Sequence, residues 1–263
     1  MKSAREIIRA KTVMTSVLMA LMVCFCSCTD SSQTEKYSQK QQQKIKVVVL
    51  TGGHEFEEKP FFSLFDSYDD IEYVKAQLKD ESEIFEDISN WNYDVMVLFN
   101  MTQNISEKRR ENFVKLLERG VGVVALHHSI GAFPDWEQYQ KIIGTKFYWE
   151  ETEVNGVKYQ AGSYKHDVDF KVYVKDSKHP ITNGITDFSI HDETYKGCVF
   201  QQDNQVLLTT DHPTSDETLC WVRNYANARI CYIQIGHGPQ VYDDANYQRL
   251  VLQAIKWCAA KED

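Results

Sequence analysis

An α/β domain with a mainly parallel central sheet, extended by antiparallel strands in its second half, is the fold class this sequence predicts. Three observations carry it. The first half holds short, continuous β-branched runs; one segment of helical spacing lies between two of them; and the second half packs several strand-like runs close together.

The first run, Lys44 to Leu50, ends in Thr51-Gly52-Gly53-His54 and reads as a buried strand followed by a loop. Asp94 to Phe99 and Gly122 to Leu126 repeat the pattern. Between these two, Ser106 is placed to cap a helix that carries Phe113, Leu116 and Leu117 on one face and stops at Gly120. Strand, helix and strand in that order imply a parallel sheet. Further on, Phe170 to Val174, Asp187 to Ile190, Gln205 to Thr209, Thr218 to Val222 and Ile230 to Ile235 are strand-like and suggest antiparallel additions. A final helix from Asp244 to Ala259 sets Tyr247, Leu250, Val251, Ala254, Ile255 and Cys258 on one face.

The N-terminal segment has another character. Lys2, Arg5, Arg9 and Lys11 precede an apolar run from Val13 to Val23, the pattern of a signal peptide. The run is shorter than the ~20 residues a membrane-spanning helix needs. Ser27 directly before Cys28 resembles the lipobox of bacterial lipoproteins, which makes Cys28 the expected lipidation site. Phe25 stands where leucine is usual, so Cys24 and Cys26 remain weaker alternatives. Residues 29–43, rich in Ser and Gln, read as a flexible polar tether. The expected organisation is a signal over 1–28, the tether over 29–43 and one domain over 44–263. The expected location is outside the cytoplasm, on a membrane held through the lipid anchor only.

The chain has 263 residues and a formal net charge of -9, which argues against a nucleic-acid partner. Of seven cysteines, Cys198, Cys220, Cys231 and Cys258 fall in the domain. No C-x-x-C pair is present, so a thiolate zinc site or redox motif has no support. Cys220 and Cys231 read as buried thiols, although an oxidising compartment permits a disulfide.

Ligands of an open parallel sheet bind beyond the carboxyl ends of its strands. Three chain segments bring histidines there: His54 after the first strand, His127-His128 after the Gly122 to Leu126 strand, and His237 after the Ile230 to Ile235 strand. A single histidine at a strand end is more often a hydrogen-bonded structural residue; four on one edge make a functional cluster an even match for that bland reading. The segment His191-Asp192-Glu193-Thr194-Tyr195 adds an imidazole, two carboxylates and a phenol. If it is a strand, His191, Glu193 and Tyr195 share one face; the alternative is a solvated edge strand. No phosphate-binding glycine pattern and no G-x-S-x-G occur, so neither nucleotide binding nor a hydrolase triad has support.

In order and spacing, Val47-Val48-Val49-Leu50-Thr51-Gly52-Gly53-His54-Glu55-Phe56, Gly120 to His128, His179-Pro180-Ile181-Thr182, Asp192-Glu193-Thr194-Tyr195, and Ile230 to His237 leading into Ile255-Lys256-Trp257 resemble the ThuA-like, trehalose-utilisation family. The resemblance covers most of Lys44 to Ala260. It implies the flavodoxin-like, class I glutamine amidotransferase-like fold, a three-layer sandwich. Amidotransferases of that fold carry a nucleophilic cysteine on the turn after a central strand, where this chain has His127 or His128. Imidazole there removes the thioester nucleophile and argues against glutamine hydrolysis.

The resemblance further implies a carbohydrate ligand, trehalose-like or a 3-keto-disaccharide. On that footing His128, His191, Glu193 and His127 are the candidate catalytic groups, with His127 and His128 competing for one place. His54, Tyr195, Trp136 and Trp149 are candidates for holding substrate. Two chemistries fit: a divalent metal such as zinc held by the neutral imidazoles of His54, His128 and His237 with Glu193, or metal-free acid–base transfer by His and Glu beside a keto group. Aromatic residues make up 12% of the chain, which also suits a non-catalytic sugar-binding protein that shows Trp136, Tyr148, Trp149 or Tyr195 to sugar faces. A surface component that docks another protein, and a homo-oligomer, stay open.

Overall fold

The structure is a computed structural model that describes residues 43–79 and 82–260. Its strands are β1 (Ile45–Gly52), β2 (Ile71–Gln77), β3 (Val95–Asn100), β4 (Gly122–Leu126), β5 (Thr145–Lys146), β6 (Thr152–Val154), β7 (Val157–Tyr159), β8 (Ser163–Val174), β9 (Phe188–Lys196), β10 (Val199–Phe200), β11 (Gln205–Thr209), β12 (Thr218–Tyr225) and β13 (Ala228–Ile233). Its helices are α1 (Glu58–Asp66), α2 (Glu107–Glu118), α3 (Glu137–Ile143), α4 (Pro239–Tyr242) and α5 (Ala245–Ala259).

Nine strands form one sheet in the order β2-β1-β3-β4-β13-β12-β11-β8-β9. From β2 to β13 the neighbours run parallel, and from β13 to β9 every pairing is antiparallel. Of the parallel strands, β3 and β4 are buried on both faces, which is why they read as unbroken apolar runs. Along β1, Val47 and Val49 enter a core shared with Phe61 and Phe65 of α1 and Leu250, Val251, Ala254 and Ile255 of α5. Val48 and Leu50 enter the opposite core, with Phe113, Leu116 and Leu117 of α2 and Tyr139, Ile142 and Ile143 of α3. Helices therefore cover the sheet on both sides, giving the three-layer class I amidotransferase-like architecture.

Two predicted strands prove longer. β8 begins at Ser163 and β9 continues to Lys196, so the segment 191–195 lies inside a strand. Ser106 occupies the N-cap of α2 but makes no side-chain cap bond, whereas Asp244 accepts the Asn246 and Tyr247 amides at the start of α5. The sequence pattern does not reveal α1, β2 or α3. β2 is an edge strand with several exposed residues, and its charged Glu72 and Lys75 blunt the apolar signal. Cys220 and Cys231 are buried free thiols with their sulfurs 4.0 Å apart.

No helix among the described residues is long and apolar enough to cross a membrane. The expected signal, the Cys28 lipidation site and all but the last residue of the tether lie outside the described residues.

Candidate functional site

Three parallel strands end on the same edge, and each ending has a local reason. After β1 the chain turns through Gly53 at φ +73°, where a Cβ would lie 2.4 Å from the Met101 backbone; only glycine fits, and His54 follows exposed. After β4 a single 3-10 turn, His127–Gly131, begins with His127 at φ +43°, a left-handed conformation that a non-glycine residue rarely takes. Two bonds hold it: the Tyr232 hydroxyl donates to the His127 carbonyl at 2.5 Å, and His127 Nδ1 lies 2.6 Å from the Gln234 carbonyl. After β13 the chain runs through Gly236 at φ +133°, where a Cβ would meet the Tyr247 hydroxyl at 2.5 Å.

The buried Asp192 carboxylate, from β9, fastens that last loop by accepting the Gly236 amide at 2.7 Å and the His237 amide at 3.0 Å. Its neighbour Glu193 completes the centre. Glu193 Oε2 lies 2.9 Å from His127 Nε2 and 3.2 Å from His237 Nδ1, and those two nitrogens are 3.1 Å apart. The Tyr195 hydroxyl stands 3.3 Å from His127 Nε2, and His166 Nδ1 stands 3.1 Å from the other Glu193 oxygen. His127 and Glu193 are buried, His237 is partly open, and exposed His54 and His166 border the solvent side.

Since the Gln234 carbonyl can only accept, His127 Nδ1 carries the proton and Nε2 is the nitrogen turned toward the cluster. Burial opposes ionisation of Glu193, but the hydrogen bonds that the protonated forms of His127 and His237 donate, with their charge, outweigh it and hold the carboxyl well below the usual carboxylate range. The same bond to Glu193 raises His237 against the effect of burial. Burial, with Glu193 nearby, pushes the Tyr195 phenol well up, so it keeps its proton and serves as a donor. Burial lowers His128 to about 2, leaving it neutral.

The predicted residues separate into groups. His127, Glu193, His237 and Tyr195 meet directly. His54 stacks on His128 at 4.5 Å between ring centroids, and the two buried His128 nitrogens have no partner among the described residues. The predicted metal set of His54, His128 and His237 is thereby regrouped: the groups whose ligand atoms converge are His127, Glu193 and His237. His191 does not join them. It faces its cross-strand neighbour Asp169, with Nδ1 2.9 Å from the Asp169 carboxylate on the exposed part of β9. Trp136 is buried against Phe113, Phe133 and Tyr139, a core residue rather than a sugar platform.

Trp149 is 41% exposed and packs on the backbone of Gly131, where a Cβ would come within 2.8 Å of its ring. Phe147 links it to Tyr195, with centroids 4.7 and 5.5 Å away. Trp149, Tyr148 and Tyr159 line an open groove of about 700 Å³, to which His127, Glu193 and His237 do not contribute.

Sequence reasoning misses His166 and the clamping role of Asp192. A signal for His166 exists in Tyr164-Lys165-His166, a polar start to a strand opposite the 191–195 segment, but only the β8–β9 register reveals it.

The family described as ThuA, trehalose utilisation, matches residues 46–258. A thua-like protein from Parabacteroides merdae has the same fold at TM-score 0.69 and 20% identity, over 83% of this chain and 91% of that one. One from Bacteroides uniformis aligns at TM-score 0.61 and 21% identity, over 83% and 92%. A cytoplasmic protein from Salmonella typhimurium aligns at TM-score 0.57 and 11% identity, over 83% and 100%. Among curated proteins none matches the chain in sequence.

Proposed function

The chain belongs to the ThuA family, described by trehalose utilisation, and from that premise we propose that it is a carbohydrate-processing enzyme. Its substrate is a trehalose-like or 3-keto-disaccharide, and His127, Glu193 and His237 are its working groups. One observation carries the reading: a buried carboxylate and two imidazoles from three separate segments meet within 3.2 Å on the sheet edge where this fold binds ligands.

Such a cluster suits proton transfer beside a carbonyl. His237 is partly open to solvent, and its pairing with Glu193 favours the protonated form; it is the group to give a proton to a sugar oxygen. His127, its tautomer fixed by Gln234, presents Nε2 to take one. Tyr195 supplies a hydroxyl donor beside that nitrogen. An isomerisation or elimination next to a keto group needs this division of roles.

The test is product analysis by NMR after incubating the protein with trehalose and with its 3-keto form, for wild type and Glu193→Gln. Turnover in wild type that falls at least about a hundredfold in the variant upholds the enzyme. A second reading, sugar binding without turnover, draws on the exposed Trp149 and Tyr164, 6.2 Å apart. Sugar affinity with no product on either substrate decides for it.

The charged and apolar N-terminal segment supports export and anchoring through Cys28. A mature N-terminus at Cys28 bearing acyl mass, lost in Cys28→Ala, is the expected result.

A further inference from the structure

We infer that His127 Nε2, Glu193 Oε2 and His237 Nδ1 form the protein part of a site for one divalent first-row transition cation, zinc foremost. The inference deepens the proposed function, and rests on it only for what the cation would do.

Three contacts of 2.9, 3.1 and 3.2 Å close a triangle of lone-pair atoms. No distribution of protons serves all three edges. If both nitrogens carry protons toward Glu193, two N–H groups face each other at 3.1 Å, and His127, protonated at Nδ1 as well, is a cation. If only His237 carries one, the His127 lone pair faces a carboxylate oxygen at 2.9 Å. If Glu193 carries one, a buried carboxylate with a second imidazole, His166, at its other oxygen must be neutral.

A cation serves all three edges at once. Ligand atoms about 2.0–2.2 Å from a tetrahedral zinc stand roughly 3.3–3.6 Å from one another, so the triangle need open by only a few tenths of an ångström to take the ion. Two imidazoles and one carboxylate are the set of a catalytic zinc site that keeps an open position.

The surroundings match what metal ligands require. A ligating histidine normally gives its other N–H to a carbonyl or carboxylate; His127 gives Nδ1–H to Gln234. Glu193 is held at its second oxygen by His166. His237 is fixed by Asp192 through its own amide, and by the Tyr242 hydroxyl, which donates to its carbonyl at 3.2 Å. The partly exposed His237 is flanked by exposed His54 and His166, with ring centroids 6.2 and 4.9 Å from its own. A cation in the triangle would polarise a sugar carbonyl or hydroxyl oxygen.

The experiment uses the full chain in detergent, purified without chelator. Metal content is measured by mass spectrometry, and the chelator-stripped protein is then titrated with Co²⁺ and Zn²⁺, with circular dichroism confirming the fold. The expected result is about one equivalent per chain and a visible Co²⁺ absorption band. Affinity should fall at least about tenfold in Glu193→Gln and in His237→Ala, and should be unchanged in His212→Ala, whose imidazole contacts Thr214 instead. His237 is partly exposed, so its variant carries the test if the Glu193 variant does not fold.

Folded wild type that takes up none of Zn²⁺, Mn²⁺, Fe²⁺ or Co²⁺ overturns the inference, as does equal binding in the His237 variant. Turnover by metal-free protein would overturn the metal and keep the enzyme. A stoichiometric metal in a protein inert to both sugars would keep the metal and overturn the enzyme.

Discussion

The parallel and antiparallel halves of the sheet contribute to the site in different ways. The parallel half supplies imidazoles from loops: His54 after β1, His127 after β4 and His237 after β13, each just beyond a buried strand. The antiparallel half supplies Glu193, Tyr195 and Asp192 from within β9, and His166 from within β8. A loop residue is aimed by a turn, and glycines or an unusual φ mark the turn. A strand residue is aimed by register, which no local pattern states. Here the register between β8 and β9 shifts between Lys165 and Val168, with Asp167 at φ +56°.

The largest effect should come where the halves meet. Glu193→Gln keeps the shape but removes the charge that both imidazoles face, and turnover should fall by about 10²–10⁴. Its thermal midpoint should fall modestly, because the folded chain holds the carboxylate below its usual range and the two imidazoles lose their charge partner. A large loss of folding stability would instead make the carboxylate a structural link between the halves.

Asp192→Asn is next. Asp192 touches no candidate reacting atom, but its two amide contacts place the His237 loop. The amide that replaces it keeps one acceptor, and activity should drop by about 10–100-fold. A positioning role predicts weaker metal binding together with lower kcat; a purely structural role predicts lower stability with kcat unchanged. Tyr195→Phe, which removes only a hydroxyl 3.3 Å from His127, should cost about tenfold or less in kcat and leave the fold intact.

The same contrast explains which features are legible in the sequence. Val47 to Leu50, Val95 to Phe99 and Val123 to Leu126 announce a parallel sheet because burial on both faces leaves no other composition. Strand-end placement then brings His54, His127 and His237 to one edge. The choice between His127 and His128 is not legible, because the left-handed backbone at His127 sets which ring turns inward and strand alternation does not apply there. His191 misleads for a related reason. Alternation puts it on the face of Glu193, but a strand long enough to leave the covered part of the sheet exposes its lower residues. There His191 finds Asp169 directly across. Trp136 shows the limit of composition, since an aromatic near a polar loop fills a core as readily as it greets a sugar.

The smallest effect sits in the antiparallel half, away from the cluster, and separates its folding from its chemistry. His179 lies in the connection between β8 and β9 and is buried beside Trp257, at 5.2 Å. Its Nδ1 accepts the Ile181 amide at 3.2 Å, which caps a short 3-10 turn and requires an unprotonated nitrogen. Burial lowers its pKa; Asp176 opposes this and Arg229 adds to it. Above about pH 6.5 the folded and unfolded chains are both neutral at this residue, and it adds no pH dependence. As pH falls through that value the unfolded chain takes up a proton that the native one resists, so stability declines, with a slope of at most about 1.4 kcal/mol per pH unit. Asparagine can accept the same amide without titrating. His179→Asn should therefore flatten the denaturant-measured stability curve between about pH 7 and 5 and leave turnover at neutral pH within about twofold. An unchanged slope in the variant would mean that the acid sensitivity of this half arises elsewhere, and a loss of turnover would mean that the connection reaches the site after all.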